Sequence, residues 1–140
     1  MFFADRYYGF DDALYAACRL VEIVAASGQP LSHQLADLPK TVTTPEIRFD
    51  CPDELKFEVV KRATAALRAK HETIDVDGVR VIFPHGWGLA RASNTQAVLV
   101  MRFEATTPEL LAEYQGEVEA AVSQAKAEAE AEAAKASIRP

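Results

Sequence analysis

Cysteine is scarce in this sequence, which has only Cys18 and Cys51 among its 140 residues. The two are distant in the chain, and neither belongs to a Cys-x-x-Cys motif or a cluster with histidine. This spacing argues against a disulfide framework, a zinc site and a redox role. We therefore interpret both side chains as buried or semi-buried free thiols.

Long apolar segments and an excess of basic charge are also lacking. No apolar run approaches the roughly 20 residues that a membrane span requires, and the opening MFFADR lacks the basic start and long apolar segment of a secretion signal. The chain carries 15 Lys and Arg against 21 Asp and Glu, a net charge of -6. Because nucleic-acid binding needs a basic face, we expect no nucleic-acid partner. From the missing apolar segments we expect no membrane partner and a cytoplasmic location.

Motifs for catalysis are missing as well. Gly86-Trp87-Gly88 lacks the strand, turn and helix context of a dinucleotide loop, and no P-loop is present. The histidines lie apart from one another in the chain, and no nucleophile has an adjacent base. The residues alone therefore predict no catalytic group and no metal site.

Apolar periodicity and turn residues predict the order of elements. They indicate helices over 13–26, 32–38, 52–68 and from 106 onward, a linker over 41–45, strands over 46–50, 87–92 and 97–104, and a hairpin over 73–83 that turns at Asp77-Gly78. The predicted buried faces are Leu14, Ala17, Cys18, Val21 and Val24 on the first helix, and Phe57, Val60, Ala63 and Leu67 on the helix over 52–68.

This order predicts an α+β fold, with an antiparallel sheet of about four strands and helices on one face. Residues 1–40 combine a dense aromatic cluster with one helix and little sheet, which indicates the helical end of a preceding unit. Residues 41–125 form the predicted α+β domain. Residues 126–140 are rich in alanine and glutamate without a sustained apolar face, which predicts a helical or frayed tail.

The segment between the last two strands has the residue types of an anion site. Arg91 offers a planar fork that matches phosphate oxygens, and Ser93, Asn94 and Thr95 add polar donors in a tight turn. Arg102, on the returning strand, is a second candidate cation. The alternative is that Ser-Asn-Thr is an ordinary turn beside a solvated strand end.

Several motifs in order resemble the bacterial phosphomannomutase/phosphoglucomutase family of the α-D-phosphohexomutase superfamily. They are the STPE-like TTPE at 43–46, DGVRV at 77–81, GWGLARASNT at 86–95 and VLVMRFEA at 98–105. The opening FFADRYYGFDDALYAACRLVEI at 2–23 is similar to the end of the third, α/β domain of that family. The rest is similar to its fourth domain, which has a TATA-binding-protein-like fold.

The resemblance implies an isomerase that moves a phosphoryl group between positions 1 and 6 of mannose or glucose. Arg91, Ser93, Asn94 and Thr95 match its phosphate-binding loop, and Arg102 matches a neighbouring strand position with a weaker claim. The implied partners are a hexose phosphate or bisphosphate and upstream domains of the same enzyme. In one departure, Gln96-Ala97 stands where the family usually has a proline after the loop.

The catalytic serine, the magnesium loop and the sugar-reading loop of the family have no counterpart in this sequence. We therefore expect an excised C-terminal piece that binds phosphate but is inactive alone, with no cofactor of its own and Mg2+ held elsewhere in the intact enzyme. The competing hypothesis is a non-catalytic interaction module, associating through its aromatic N-terminal segment and C-terminal helix. Loss of phosphate binding on Arg91→Ala would separate the two.

Overall fold

The computed structural model describes residues 2–137, and the chain divides between Pro39 and Lys40 into two compact units. The N-terminal unit contains one α-helix, α1 (Ala13–Ser27), followed by a short 3-10 turn (Leu31–His33). Asp12 begins α1 by accepting the Tyr15 backbone N–H at 2.9 Å, and Gly28 ends it in the left-handed region at φ 62°. Where the sequence predicted a helix over 32–38, the structure has only this 3-10 turn and the turns that follow it.

The aromatic cluster packs on the side of α1 that the sequence pattern predicts to be polar. The Tyr7 and Tyr15 rings stack with centroids 4.1 Å apart, and Phe3 meets the edge of Tyr15 at 5.4 Å. The predicted buried face is exposed instead, with Leu14 81% and Val21 67% accessible. Cys18, which we expected to be at least half-buried, is exposed for the same reason.

The C-terminal unit is a six-stranded antiparallel sheet with two helices. Its elements in order are β1 (Val42–Thr43), β2 (Ile47–Asp50), α2 (Lys56–Arg68), β3 (Glu72–Ile74), β4 (Val79–Phe83), β5 (Gly86–Ala92), β6 (Val98–Ala105) and α3 (Pro108–Ser137). The strands β6, β5, β4 and β3 lie side by side in that order, and β1 and β2 both pair with β6. The sheet therefore has two strands more than the expected four: β3 is the first strand of the predicted hairpin, and only the two-residue β1 was not predicted as a strand.

The segment predicted as a linker is partly sheet. Val42 and Thr43 pair with Ala105 and Glu104 of β6, and the Thr44 N–H donates to the Phe103 carbonyl at 3.0 Å. The Thr44 hydroxyl also accepts the Phe103 N–H at 3.1 Å. The edge of a long strand has unpaired N–H and C=O groups, with which a neighbouring extended segment can form hydrogen bonds. The local sequence of residues 41–45 does not show this pairing.

Both helices cover the same face of the sheet, which confirms the predicted α+β architecture. The buried core joins residues of α2, the strands β4 to β6 and α3: Val59, Ala63, Leu67, Val79, Val81, Phe83, Leu99, Met101, Phe103, Tyr114, Val118 and Val122. Gly88 of β5 lies under this packing, because a Cβ there would come within 2.9 Å of the Phe103 ring and 3.2 Å of Val118.

The start of α2 differs from the predicted pattern in one position. Val60, Ala63 and Leu67 are buried as predicted, but Phe57 is 60% exposed and its neighbour Lys56 is only 3% exposed. The helix also begins at Lys56 rather than at Pro52, whose carbonyl accepts the Lys56 N–H at 3.1 Å. Lys56 lies four residues before Val60 and seven before Ala63, so helical periodicity places it on the buried face.

The final helix continues past the predicted boundary at residue 125. Ala125 and Ala129 are both buried, and the Arg62 guanidinium donates to the Glu132 carboxylate. The helical part of the predicted tail therefore packs along α2 as far as these contacts reach, and residues 138–140 lie outside the described part of the chain. No helix within residues 2–137 is long and apolar enough to cross a membrane.

Candidate functional site

The predicted anion-binding residues lie at one end of the sheet face opposite the helices. Along β5, Gly88, Ala90 and Ala92 are buried on the helix side, so Arg91 projects from the other face. Arg91 pairs in register with Val100 of β6. On its other side is Gly78, where a Cβ would lie 2.6 Å from the Arg91 Cβ. The absence of a side chain at Gly78, which has φ 81°, therefore leaves room for Arg91.

The β5–β6 loop (residues 93–97) follows directly after Arg91 and Ala92. The Ser93 N–H donates to the Val98 carbonyl at 3.0 Å and closes the hairpin, and the Thr95 N–H reaches the Ser93 hydroxyl at 3.4 Å. Asn94 and Thr95 are exposed, and Ser93 is half-buried. The loop thus presents the Asn94 amide and the Thr95 hydroxyl to solvent next to a strand that carries a guanidinium, and these groups suit anion binding.

Arg91 has a carboxylate partner that the sequence analysis did not assign to it. Its Nη1 lies 3.1 Å from Oδ2 of Asp77, in the turn before β4, and the two side chains are 38% and 66% exposed. An anion that binds Arg91 competes with this carboxylate. The neighbouring acid, Asp75, faces away toward α2, where the Arg68 guanidinium lowers its pKa by a hydrogen bond.

Arg102 lies on the same outward face but further from the β5–β6 loop. It pairs with Leu89, so it is diagonal to Arg91 at about 7–8 Å. It is also four residues beyond Val98, about 13 Å along the strand. Arg80 of β4 also pairs with Leu89, which places it diagonal to Arg91 from the other side, with its guanidinium 4.5 Å above the Trp87 ring. The geometry places both near Arg91 rather than near the loop.

Two cations that the sequence analysis missed contact the far end of the loop. Arg48 of β2, paired with Val100, donates from its guanidinium to the side-chain oxygen of Gln96. The Lys56 Nζ lies 3.3 Å from the main-chain oxygen of Gln96. Strand alternation in β2 could have placed Arg48 on the outward face, but no local signal shows that β2 lies beside β6.

Other reactive groups of the described chain lie away from this loop or are unsuited to catalysis. The His71 Nε2 and Glu117 Oε1 are 2.8 Å apart where the end of α2 meets α3, and the His71 ring packs on Phe83. Burial raises the pKa of the Cys51 thiol, which weakens it as a nucleophile. Within residues 2–137, no group of three or more His, Cys, Asp or Glu side chains is placed to hold a metal ion.

Comparison with known proteins assigns this arrangement to a family. Residues 46–121, which contain β2 to β6, α2 and the first part of α3, match the family described as phosphoglucomutase/phosphomannomutase, C-terminal domain. The chain belongs to this family. The matched region contains Arg91, the β5–β6 loop and Arg102.

Individual relatives agree with this assignment. The chain is 42% identical to a phosphoglucomutase of Neisseria gonorrhoeae over 87% of its own length and 27% of that protein. It is also 42% identical to a phosphomannomutase/phosphoglucomutase of Pseudomonas aeruginosa over 79% of its length and 24% of the relative. A crystal structure of a Burkholderia thailandensis phosphoglucomutase/phosphomannomutase family protein superposes with a TM-score of 0.72 at 42% identity, covering 89% of this chain and 26% of that one. The chain thus spans about a quarter of the length of these relatives.

Proposed function

We propose that this chain binds the phosphate group of a hexose phosphate, as the C-terminal domain of an enzyme that interconverts the 1- and 6-phosphates of mannose or glucose. Arg91 is the principal cation, Ser93, Asn94 and Thr95 are the polar donors, and Arg102 contributes a second, more distant charge. Its proposed partners are the hexose phosphate or bisphosphate and the upstream domains of such an enzyme, in the cytoplasm. The chemistry and the Mg2+ ion belong to those upstream domains.

The observation that carries the proposal is the juxtaposition of Arg91 and the β5–β6 loop. Arg91 projects from the sheet face opposite the helices, Gly78 leaves its flank open, and Asn94 and Thr95 are exposed beside it. A guanidinium and several directional donors on one surface suit a dianion, because charge-assisted hydrogen bonds are about twice as strong as neutral ones. Names of the relatives support the substrate class, since a phosphoglucomutase acts on a phosphorylated hexose.

No described residue supplies the remainder of a phosphoryl transfer. The thiol of Cys51 is buried, the His71–Glu117 pair belongs to the helix side, and a metal-binding cluster is absent from residues 2–137. The proposed role is therefore to orient the sugar phosphate and keep it in place, which contributes to catalysis through position rather than bond making. We predict that this chain alone has no mutase activity.

The test is an amide NMR titration of the 140-residue chain with glucose 1-phosphate, inorganic phosphate and uncharged glucose. We expect saturable shifts at Arg91 and in the β5–β6 loop with both phosphates, at a Kd of about 1 mM, which corresponds to about 4 kcal/mol. Glucose alone should give none of these shifts. Unmoved loop amides in an otherwise dispersed spectrum would contradict phosphate binding and favour the interaction-module hypothesis.

A pair of arginine variants separates the site from general electrostatics. Arg91→Ala should weaken phosphate binding by about tenfold or more, since a hydrogen bond to a charged group contributes about 1.5–3 kcal/mol. Arg68→Ala is the matched control, because Arg68 is also an exposed arginine paired with an acid of the same hairpin, Asp75. Equal losses for the two variants would mean that only net charge matters.

A further inference from the structure

The segment from β2 to the start of α2 holds the returning end of the β5–β6 loop. The Cys51 N–H donates to the Ala97 carbonyl at 3.2 Å, and the Arg48 guanidinium donates to the side chain of Gln96. The Lys56 Nζ donates to the main-chain oxygen of Gln96 at 3.3 Å. These contacts restrain both the backbone and a side chain directly after Ser93, Asn94 and Thr95.

Lys56 differs from Arg48, the other side chain that donates to Gln96, because Lys56 is buried and Arg48 is exposed. Its side chain is 4% exposed, and its Nζ lies 2.6 Å from Oδ1 of Asp53 and 5.2 Å from the centre of the Phe57 ring. Burying an ammonium group is costly unless its charge is paired and its N–H groups have acceptors. Asp53 satisfies the charge, but it is 64% exposed and could pair with a lysine at the surface equally well.

The contact that a lysine at the surface would not make is the one between the Lys56 ammonium and the Gln96 carbonyl. Residues 94–97 are exposed, and within the loop the hydrogen bond from the Thr95 N–H to the Ser93 hydroxyl is long, at 3.4 Å. A loop with so few bonds of its own needs contacts from outside if its donors are to point in one direction before a ligand arrives. The Asp53 carboxylate neutralises the ammonium, so the effect of Lys56 on the loop is chiefly geometric.

We propose that Lys56 is a positioning residue for phosphate binding, whose buried ammonium holds the Gln96 carbonyl and thereby orders the donors of Ser93, Asn94 and Thr95. This inference rests on the proposed function of the loop. It assigns a role in recognition to a residue on the helix side of the sheet, which does not itself touch the phosphate.

The test compares Lys56→Met with Lys61→Met in the 140-residue chain. Methionine keeps the length and apolar stem of the lysine, and the exposed Asp53 is not left as a buried charge, so we expect the fold to be retained. Lys61 is the matched control, since it lies on the same helix, is 80% exposed and loses the same charge. The measurements are 15N relaxation of residues 93–97 without ligand, and the Kd for inorganic phosphate.

For Lys56→Met we expect lower heteronuclear NOE values at Thr95, Gln96 and Ala97 without ligand, and unchanged values along β6. We also expect the Kd for phosphate to rise about five- to thirtyfold, the factor for ordering roughly one further backbone residue on binding. Lys61→Met should change neither quantity. Asp53→Asn removes the counter-charge of the buried ammonium, which should weaken the contact of Lys56 with Gln96 and loosen the loop to an intermediate extent. It serves as the second variant if Lys56→Met does not fold.

The outcomes distinguish this inference from the proposed function. Unchanged loop relaxation in both Lys56→Met and Asp53→Asn, or an unchanged phosphate Kd in a loosened loop, overturns the role of Lys56. If the wild-type chain shows no phosphate shifts, the proposed function is wrong, and Lys56 has no role in phosphate recognition. The relaxation data still decide whether Lys56 orders the loop. A Kd that rises equally in Lys56→Met and Lys61→Met also overturns the inference, since it reports charge alone.

Discussion

Replacing Asp77 with asparagine removes the carboxylate that faces the Arg91 guanidinium and keeps the size of the side chain. In the wild-type chain, the Arg91 Nη1 and Asp77 Oδ2 are 3.1 Å apart, with 38% and 66% of the two side chains exposed. A phosphate that binds Nη1 of the guanidinium must displace this carboxylate. We therefore expect Asp77→Asn to bind phosphate more tightly than the wild type, although it loses an ion pair.

The magnitude follows from the exposure of the pair. Ion pairs between exposed side chains contribute about 0.2–1 kcal/mol, so releasing Arg91 corresponds to a Kd about 1.4- to 5-fold lower. Repulsion between the Asp77 carboxylate and a bound dianion acts in the same direction. The free energy of unfolding should fall by the same 0.2–1 kcal/mol or less, so affinity and stability change in opposite senses.

The assay is the phosphate titration by NMR, run at low salt and again at about 0.5 M NaCl, where screening should reduce the difference between variant and wild type. Asp75→Asn is the matched control, because Asp75 lies in the same hairpin but pairs with Arg68. The reasoning is refuted if Asp77→Asn leaves the Kd unchanged, or if Asp75→Asn lowers it to the same extent.

Other predictions concern the core and the surface. Gly88→Ala should destabilise the fold by about 1–3 kcal/mol in urea unfolding, since the added methyl group collides with a buried ring; unchanged stability would mean that the ring moves freely. Cys18 should react rapidly with a thiol reagent and Cys51 only on unfolding, and equal rates would contradict the buried position of Cys51. The Arg62 hydrogen bond lowers the pKa of Glu58, a stabilisation present above its unfolded pKa and lost as the pH falls through its folded pKa. Arg62→Gln, which also removes the contact with Glu132, should therefore lower the melting temperature at pH 7 more than at pH 3, and an equal loss at both pH values would mean that the charges of these two carboxylates do not contribute.

The sheet and the loop illustrate what local sequence can predict. Alternating residues and the Asp77-Gly78 turn predicted β4, β5 and β6 to within about two residues at their ends. The same alternation placed Arg91 beside a polar turn. These signals are local, because strand periodicity and turn conformations depend on residues within a few positions of one another.

The start of α2 and the N-terminal unit illustrate the limit. At 56 and 57 the sequence offers a lysine and a phenylalanine, and hydrophobicity favoured burying the phenylalanine. The structure buries Lys56 because it has two partners there, the Asp53 carboxylate three residues earlier and the Gln96 carbonyl, which lies on a distant segment of chain. On α1, the aromatic cluster packs beside Tyr15, so the apolar stripe that includes Leu14 is exposed.

The sequence by itself determined the α+β class, the antiparallel hairpins and the position of an arginine before a Ser-Asn-Thr turn, since each follows from periodicity or turn chemistry within a short window. Only the tertiary structure decided that β1 and β2 share the edge of β6, that Asp77 faces Arg91, and that Arg48 and Lys56 meet at Gln96. These are relations between residues distant in the chain. They depend on strand register and helix orientation, which are set when the whole core packs rather than by any single segment.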